Sequence, residues 1–147
     1  MNNFNVQDIG AATRPKVDAE TAAAEFERFA DMMALDIDTS GLDDEDRADL
    51  GKIRRQFERA VMAGLLVVNE NGEPVYTPNT GDYREAITFY EPTGADKMAM
   101  DAKKKGHDMA KTYAMIAAQT KVHAKVFAGM PNRHLKVCEG ISLLFFA

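Results

Sequence analysis

The run LLVVNENGEPVYT, residues 65 to 77, constrains this chain more than any other stretch. Two apolar segments flank Asn71-Gly72, a pair that readily takes positive φ, and the spacing predicts a β-hairpin. After a turn at PNTGD, the run REAITFYEP sets Ile87 and Phe89 against Thr88 and Tyr90, which predicts a third strand. Three short strands are marginal alone. One face of this antiparallel meander, about residues 65–91, must therefore lie against helices.

Helical spacing supplies them on both sides. Asp18 is placed to cap a helix whose Ala22, Phe26, Phe29 and Met33 share one face. Leu50, Ile53, Phe57 and Val61 mark a second helix, with acids at its start, arginines 54, 55 and 59 after them, and Gly64 as a left-handed stop. From Pro92 the pattern stays helical. Thr93 and Asp96 approach a capping box, ahead of a stripe of Met98, Ala102, Met109, Tyr113, Ile116 and Thr120 that Gly106 can break in two. Pro131 suits a first turn, and Leu135, Cys138, Ile141, Leu144 and Phe145 then share one side. The expected class is α+β, mainly helical, with a small sheet in the middle. Residues 1–17, polar and broken by Pro15, read as a mobile arm. Residues 18–147 read as a single domain in which 18–64 form an acidic helical lobe.

With 147 residues, 46% of them apolar, the chain can build a core without staples. The lone Cys138 offers no intramolecular disulfide, no apolar run approaches the roughly 18 residues of a membrane span, and the N-terminus lacks signal-peptide features. A cytoplasmic protein without membrane association is expected. Charge is unevenly spread: residues 1–50 carry 13 acids and 4 bases, whereas residues 95–147 carry 4 acids and 9 bases. Opposite ends can attract each other or a neighbouring copy, so a homo-oligomer is one expectation. Few arginines and no interleaved aromatics in the basic third argue against nucleic acid.

The stretch DIDTSGLDDEDR, residues 36 to 47, nearly spells a calcium loop. Asp36, Asp38, Ser40 and Gly41 meet the requirements at positions 1, 3, 5 and 6, but position 12 is Arg47, where a bidentate glutamate is needed. Acids ahead of a helix are already favoured by its dipole, so no metal is expected and a weak divalent site is the lesser reading. His107, His123 and His134 have no pair at i, i+3 or i, i+4, and each reads as a surface or packing residue. Cys138 sits among apolar neighbours and reads as a buried thiol. No phosphate loop, G-x-S-x-G or H-E-x-x-H occurs, so neither enzyme chemistry nor a cofactor is expected. PTGADK, at a helix start, is a weak anion signal, and KKKGH reads as a solvated face. Nine methionines and eight phenylalanines fill core gaps or form an adaptable groove, and ISLLFFA either caps the core or leaves an apolar patch.

Taken together, AITFYEPTGADKMAMD, AKTYAMIAAQT and MPNRHLKVCEGISLLFFA resemble the tail assembly chaperones of long-tailed bacteriophages and prophages. The matching positions are Pro92, Thr93, Gly94, Asp96 and Met98, then Ile116 and Ala117, then Met130, Leu135 and the run Ile141 to Phe146, within residues 84–147. The family commonly begins its last helix with an acidic residue followed by an aromatic, where this chain has His134 and Leu135. The resemblance makes residues 65–147 the chaperone-like part. It implies a non-enzymatic protein of the host bacterial cytoplasm that keeps tape measure protein soluble and assists tail tube protein to polymerise. It also implies a longer form made by ribosomal frameshifting. Leu135, Ile141, Leu144, Phe145 and Phe146 are the expected partner-binding residues. The alternative is a structural subunit of a tail, baseplate or related contractile machine, with oppositely charged ends joining neighbouring copies.

Overall fold

The hairpin forms where the spacing predicts it. In a computed structural model that describes residues 16–80, 83–101 and 108–146, β1 (Leu66–Val68) pairs antiparallel with β2 (Pro74–Tyr76) in the register Leu66 to Tyr76. Gly72 alone of the turn pair takes positive φ, at 81°. Asn69 closes the turn, because its side-chain oxygen accepts from the N–H groups of Asn71 and Glu73 at 2.9 Å each. β3 (Ile87–Thr88) joins the other side of β2, which gives a three-stranded meander in the order β1-β2-β3. It is shorter than the expected strand, although Phe89 still donates to the carbonyl of Pro74. Ile87 and Phe89 face inward as the alternation requires.

Before the sheet stand α1 (Ala19–Met32) and α2 (Asp44–Met62). Asp18 and Asp43 cap them, each carboxylate accepting from a backbone N–H three residues on at 2.8 Å. Such a cap contributes about 1 kcal/mol. The helices meet through Phe26, Phe29 and Phe57, the last two stacked at 5.3 Å between ring centroids. Over the ring of Phe26, at 4.6 Å, lies the guanidinium of Arg54, which also pairs with Glu27 and Glu58. Arg28 reaches from α1 to the carbonyls of Val68 and Asn69, tying the helix to the end of β1.

After the sheet come α3 (Gly94–Asp101), α4 (Asp108–Thr120), α5 (Ala124–Ala128) and α6 (Asn132–Leu144). Thr93 and Asp96 form the full capping box, each backbone N–H bonded to the other's side chain. The stripe expected beyond it does not hold: Ile116 and Thr120 are buried, but Met98 and Met109 are exposed. The short α5 has no counterpart in the sequence reading, because five residues are too few to show a helical period. The expected arm lies almost wholly outside the described residues, as do Ala102, the KKKGH run and its Gly106.

One buried cluster runs from Ala22 on α1 through Phe57, Leu66, Tyr76, Phe89 and Ile116 to Leu144 on α6. The acidic helices 18–64 thus share their core with the sheet and α6. Each fully buried Phe contributes roughly 1.5–3 kcal/mol relative to exposure.

Candidate functional site

The inward stripe of α6 is where the sequence pattern put it, but it faces the core. Leu135, Ile141 and Leu144, three of the five expected partner-binding residues, are buried against α2, α4 and the sheet. Phe145 is half-buried, with its ring edge-on to Phe29 at 5.2 Å. Only Phe146 stands outward, 41% exposed, with the ammonium of Lys97 5.7 Å from its ring centre. The physical reason is the helix period: a stripe at i, i+3, i+4 covers one side, and the core has first claim on it. The opposite side of α6 presents Leu143, 51% exposed, and the approach of Lys97 to Phe146 brings α3, with Met98 72% exposed, beside the end of α6. Leu143 and Met98 were not among the expected partner-binding residues.

At the other end of α6 lies a polar arrangement that the sequence did not disclose. The Tyr76 hydroxyl is 2.6 Å from Nδ1 of His134, and Thr80 Oγ1 is 2.8 Å from Nε2. Arg133 donates to the same Thr80 oxygen at 2.5 Å. A neutral imidazole has one N–H and one lone pair. The buried phenol has the ring as its acceptor, so it donates to Nδ1 and Nε2–H donates to Thr80, whose two lone pairs take His134 and Arg133. Burial holds the His134 pKa below its ordinary value, with the Arg133 charge adding to the effect, and burial pushes the Tyr76 phenol up. Both groups are neutral at pH 7 and serve to join β2, the 77–80 segment and α6. His134 is thus a packing residue with both nitrogens partnered.

A second buried polar chain runs from Ser142, whose hydroxyl donates to the side-chain oxygen of Gln119, on to the Tyr90 carbonyl, which accepts from Gln119 Nε2 at 3.0 Å. Cys138 is fully buried beside Met130, and burial pushes its thiol up to about 12. A thiol so placed is not an attacking nucleophile at neutral pH.

The acidic loop organises itself. Asp36 accepts from the N–H of Asp38, Asp38 from that of Ser40, and Asp43 caps α2. Hydrogen bonds from Ser40 hold the Asp38 carboxyl below its usual range. Arg47, at position 12 of the pattern, donates to the carbonyls of Leu42 at 2.9 Å and Thr39 at 3.3 Å. Leu42 is position 7, whose carbonyl ligates the ion in a true calcium loop, so a guanidinium here meets the oxygen that a cation would take. Among the described residues no group of three or more His, Cys, Asp or Glu side chains could hold a metal ion.

Along the groove between α2 and α6 the wall changes character. Toward the C-terminal end of α6 it carries Asp49, Lys52, Glu139 and Leu143. Toward the start of α6 it widens into a cleft of about 530 Å³ that includes Arg59, Arg133 and Lys136. No helix among the described residues is long and apolar enough to cross a membrane. No family model, no curated protein and no solved structure matches the chain.

Proposed function

We propose that this chain is a tail assembly chaperone of a long-tailed bacteriophage or prophage, a non-enzymatic protein acting in the host bacterial cytoplasm. Its partners are tape measure protein and tail tube protein. The resemblance within residues 84–147 suggests the role, and one observation supports a place for it: Leu143 and Phe146 are exposed at the end of α6, Phe146 beside α3 with its exposed Met98 and Leu143 on the groove toward α2. Flexible Met and Phe side chains rimmed by charge suit a holdase, which must cover varied apolar helices without tight specificity. Co-expression with the tape measure protein of the same locus tests the reading. Co-purification, with the chain absent from finished particles, is the expected result, and failure to retain tape measure protein removes the proposal.

A structural subunit is the second reading, favoured by the charge along α2. Its first turn carries Asp44, Glu45 and Asp46, whereas Arg59 lies 13 residues on, about 20 Å along the axis, in the cationic cleft. Opposite charges on one rigid helix cannot meet within a chain, so they would join copies head to tail. Retention of the chain in finished particles decides for this reading over the chaperone.

A further inference from the structure

The cleft at the start of α6 carries three cations and no carboxylate. Gln56, Arg59 and Ala60 of α2 are spaced i, i+3, i+4, and so are Arg133, Lys136 and Val137 of α6, so each helix turns one face to the space between them. In a chain with 23 acidic and 18 basic residues, such a wall runs against the overall charge. Arg28, Arg47 and Arg54 each hold a carboxylate, but Arg59, Arg133 and Lys136 make no ion pair within 4 Å among the described residues; Glu139, one turn on from Lys136, acts on it from outside the cleft. The donors also have positions. Arg133 is steadied by Thr80, itself fixed by the buried His134, so its guanidinium enters the cleft on a rigid support.

An anion placed between cationic side chains on facing walls is attracted by each of them. Guanidinium groups match the oxygens of phosphate, with two parallel N–H donors each. The lining also includes apolar residues, of which Leu65 and Val137 are partly exposed while Ala60 and Tyr76 are buried behind them. At about 530 Å³ the space falls in the range of small-molecule sites, roughly 300–1,000 Å³, and a lone phosphate fills only part of it.

We propose that this cleft binds a small organic phosphate, with Arg59, Arg133 and Lys136 taking the phosphate oxygens and the apolar side chains of Leu65 and Val137 taking the organic body. The proposal is independent of the chaperone reading. A phosphate could also arrive as the free ion, and the two sources are separable.

The test is calorimetric titration of the full chain with AMP and, separately, inorganic phosphate at constant ionic strength, for the native protein and for the double variant Arg59→Gln, Lys136→Gln. Both side chains are exposed, so the variant is expected to fold, which its unfolding midpoint checks. The expected result is saturable AMP binding, weaker phosphate binding, and at least a tenfold loss of AMP affinity in the variant. Phosphate binding as tight as AMP would overturn the organic body and leave a site for the free ion. Absence of saturable binding by either, or equal binding by the variant, would overturn the site.

Discussion

The Tyr76 hydroxyl lies 2.6 Å from Nδ1 of His134, and this pair fastens the central strand to the first turn of the last helix across 58 residues of sequence. Removing one partner leaves the other buried and unsatisfied, which costs about 1–3 kcal/mol. Tyr76→Phe and His134→Leu are each expected to lose stability of that order in urea denaturation. The double variant should lose less than the two losses combined, because neither orphan then remains.

His134 also gives stability a pH dependence. Its folded pKa is depressed from the ordinary 6.5 by burial and by Arg133, so in acid the unfolded chain takes up a proton before the folded one does. The contribution is therefore complete above pH 6.5 and is lost progressively as pH falls from there toward the folded value. Denaturation midpoints for the native chain should fall across that window more steeply than those of His134→Leu.

Gly72 turns the β1–β2 hairpin at φ 81°, and a Cβ placed there would stand 2.8 Å from Cβ of Met32. Left-handed strain costs about 1–2 kcal/mol for a residue with a Cβ, and the contact adds to it. Gly72→Ala should lower stability by about 2 kcal/mol or more. A thermal or urea melt reads this directly.

Arg47 meets the Leu42 carbonyl where a calcium loop would place its ion. Arg47→Glu restores the missing carboxylate and should give measurable calcium affinity, with Kd of about 10⁻⁴–10⁻³ M, where the native chain gives none by calorimetry. Equal calcium binding by the two would remove this account of the loop.

Cys138 should resist a thiol reagent at pH 8 in the folded chain and react at once in denaturant, since burial pushes the thiol up to about 12 and seals it beside Met130. Rapid labelling of the native chain would contradict the packing described for α6.

Local chemistry was legible in the sequence where it depends on neighbours. Asp18, the Thr93–Asp96 box and the turn at Gly72 involve groups within a few residues of one another, and each forms as expected. Within the acidic loop only the Asp43 cap was legible, as one of two candidates with Ser40. Contacts that depend on the packed fold were not legible. Nothing near His134 in sequence announces Tyr76 or Thr80, and the cationic cleft exists only because α2 and α6 lie together. Which of the expected partner-binding residues face the core was not legible either, for another reason. Ile141, Leu143, Leu144, Phe145 and Phe146 place apolar groups around most of the helix end, so composition marked the segment, while only the packed core decides that Ile141 and Leu144 face in and Leu143 and Phe146 face out.

That division of α6 is the central claim and has a direct measurement. Leu143→Asp with Phe146→Asp is expected to leave the unfolding free energy from urea denaturation within about 0.5 kcal/mol of native, as exposed sites do, and to abolish capture of a tape measure helical segment. Ile141→Asp, which buries an unpaired charge, should instead unfold the chain at a cost on the order of 4 kcal/mol. Capture that survives in the folded Leu143→Asp, Phe146→Asp variant would contradict the assignment of the outward face of α6 as the partner-binding surface.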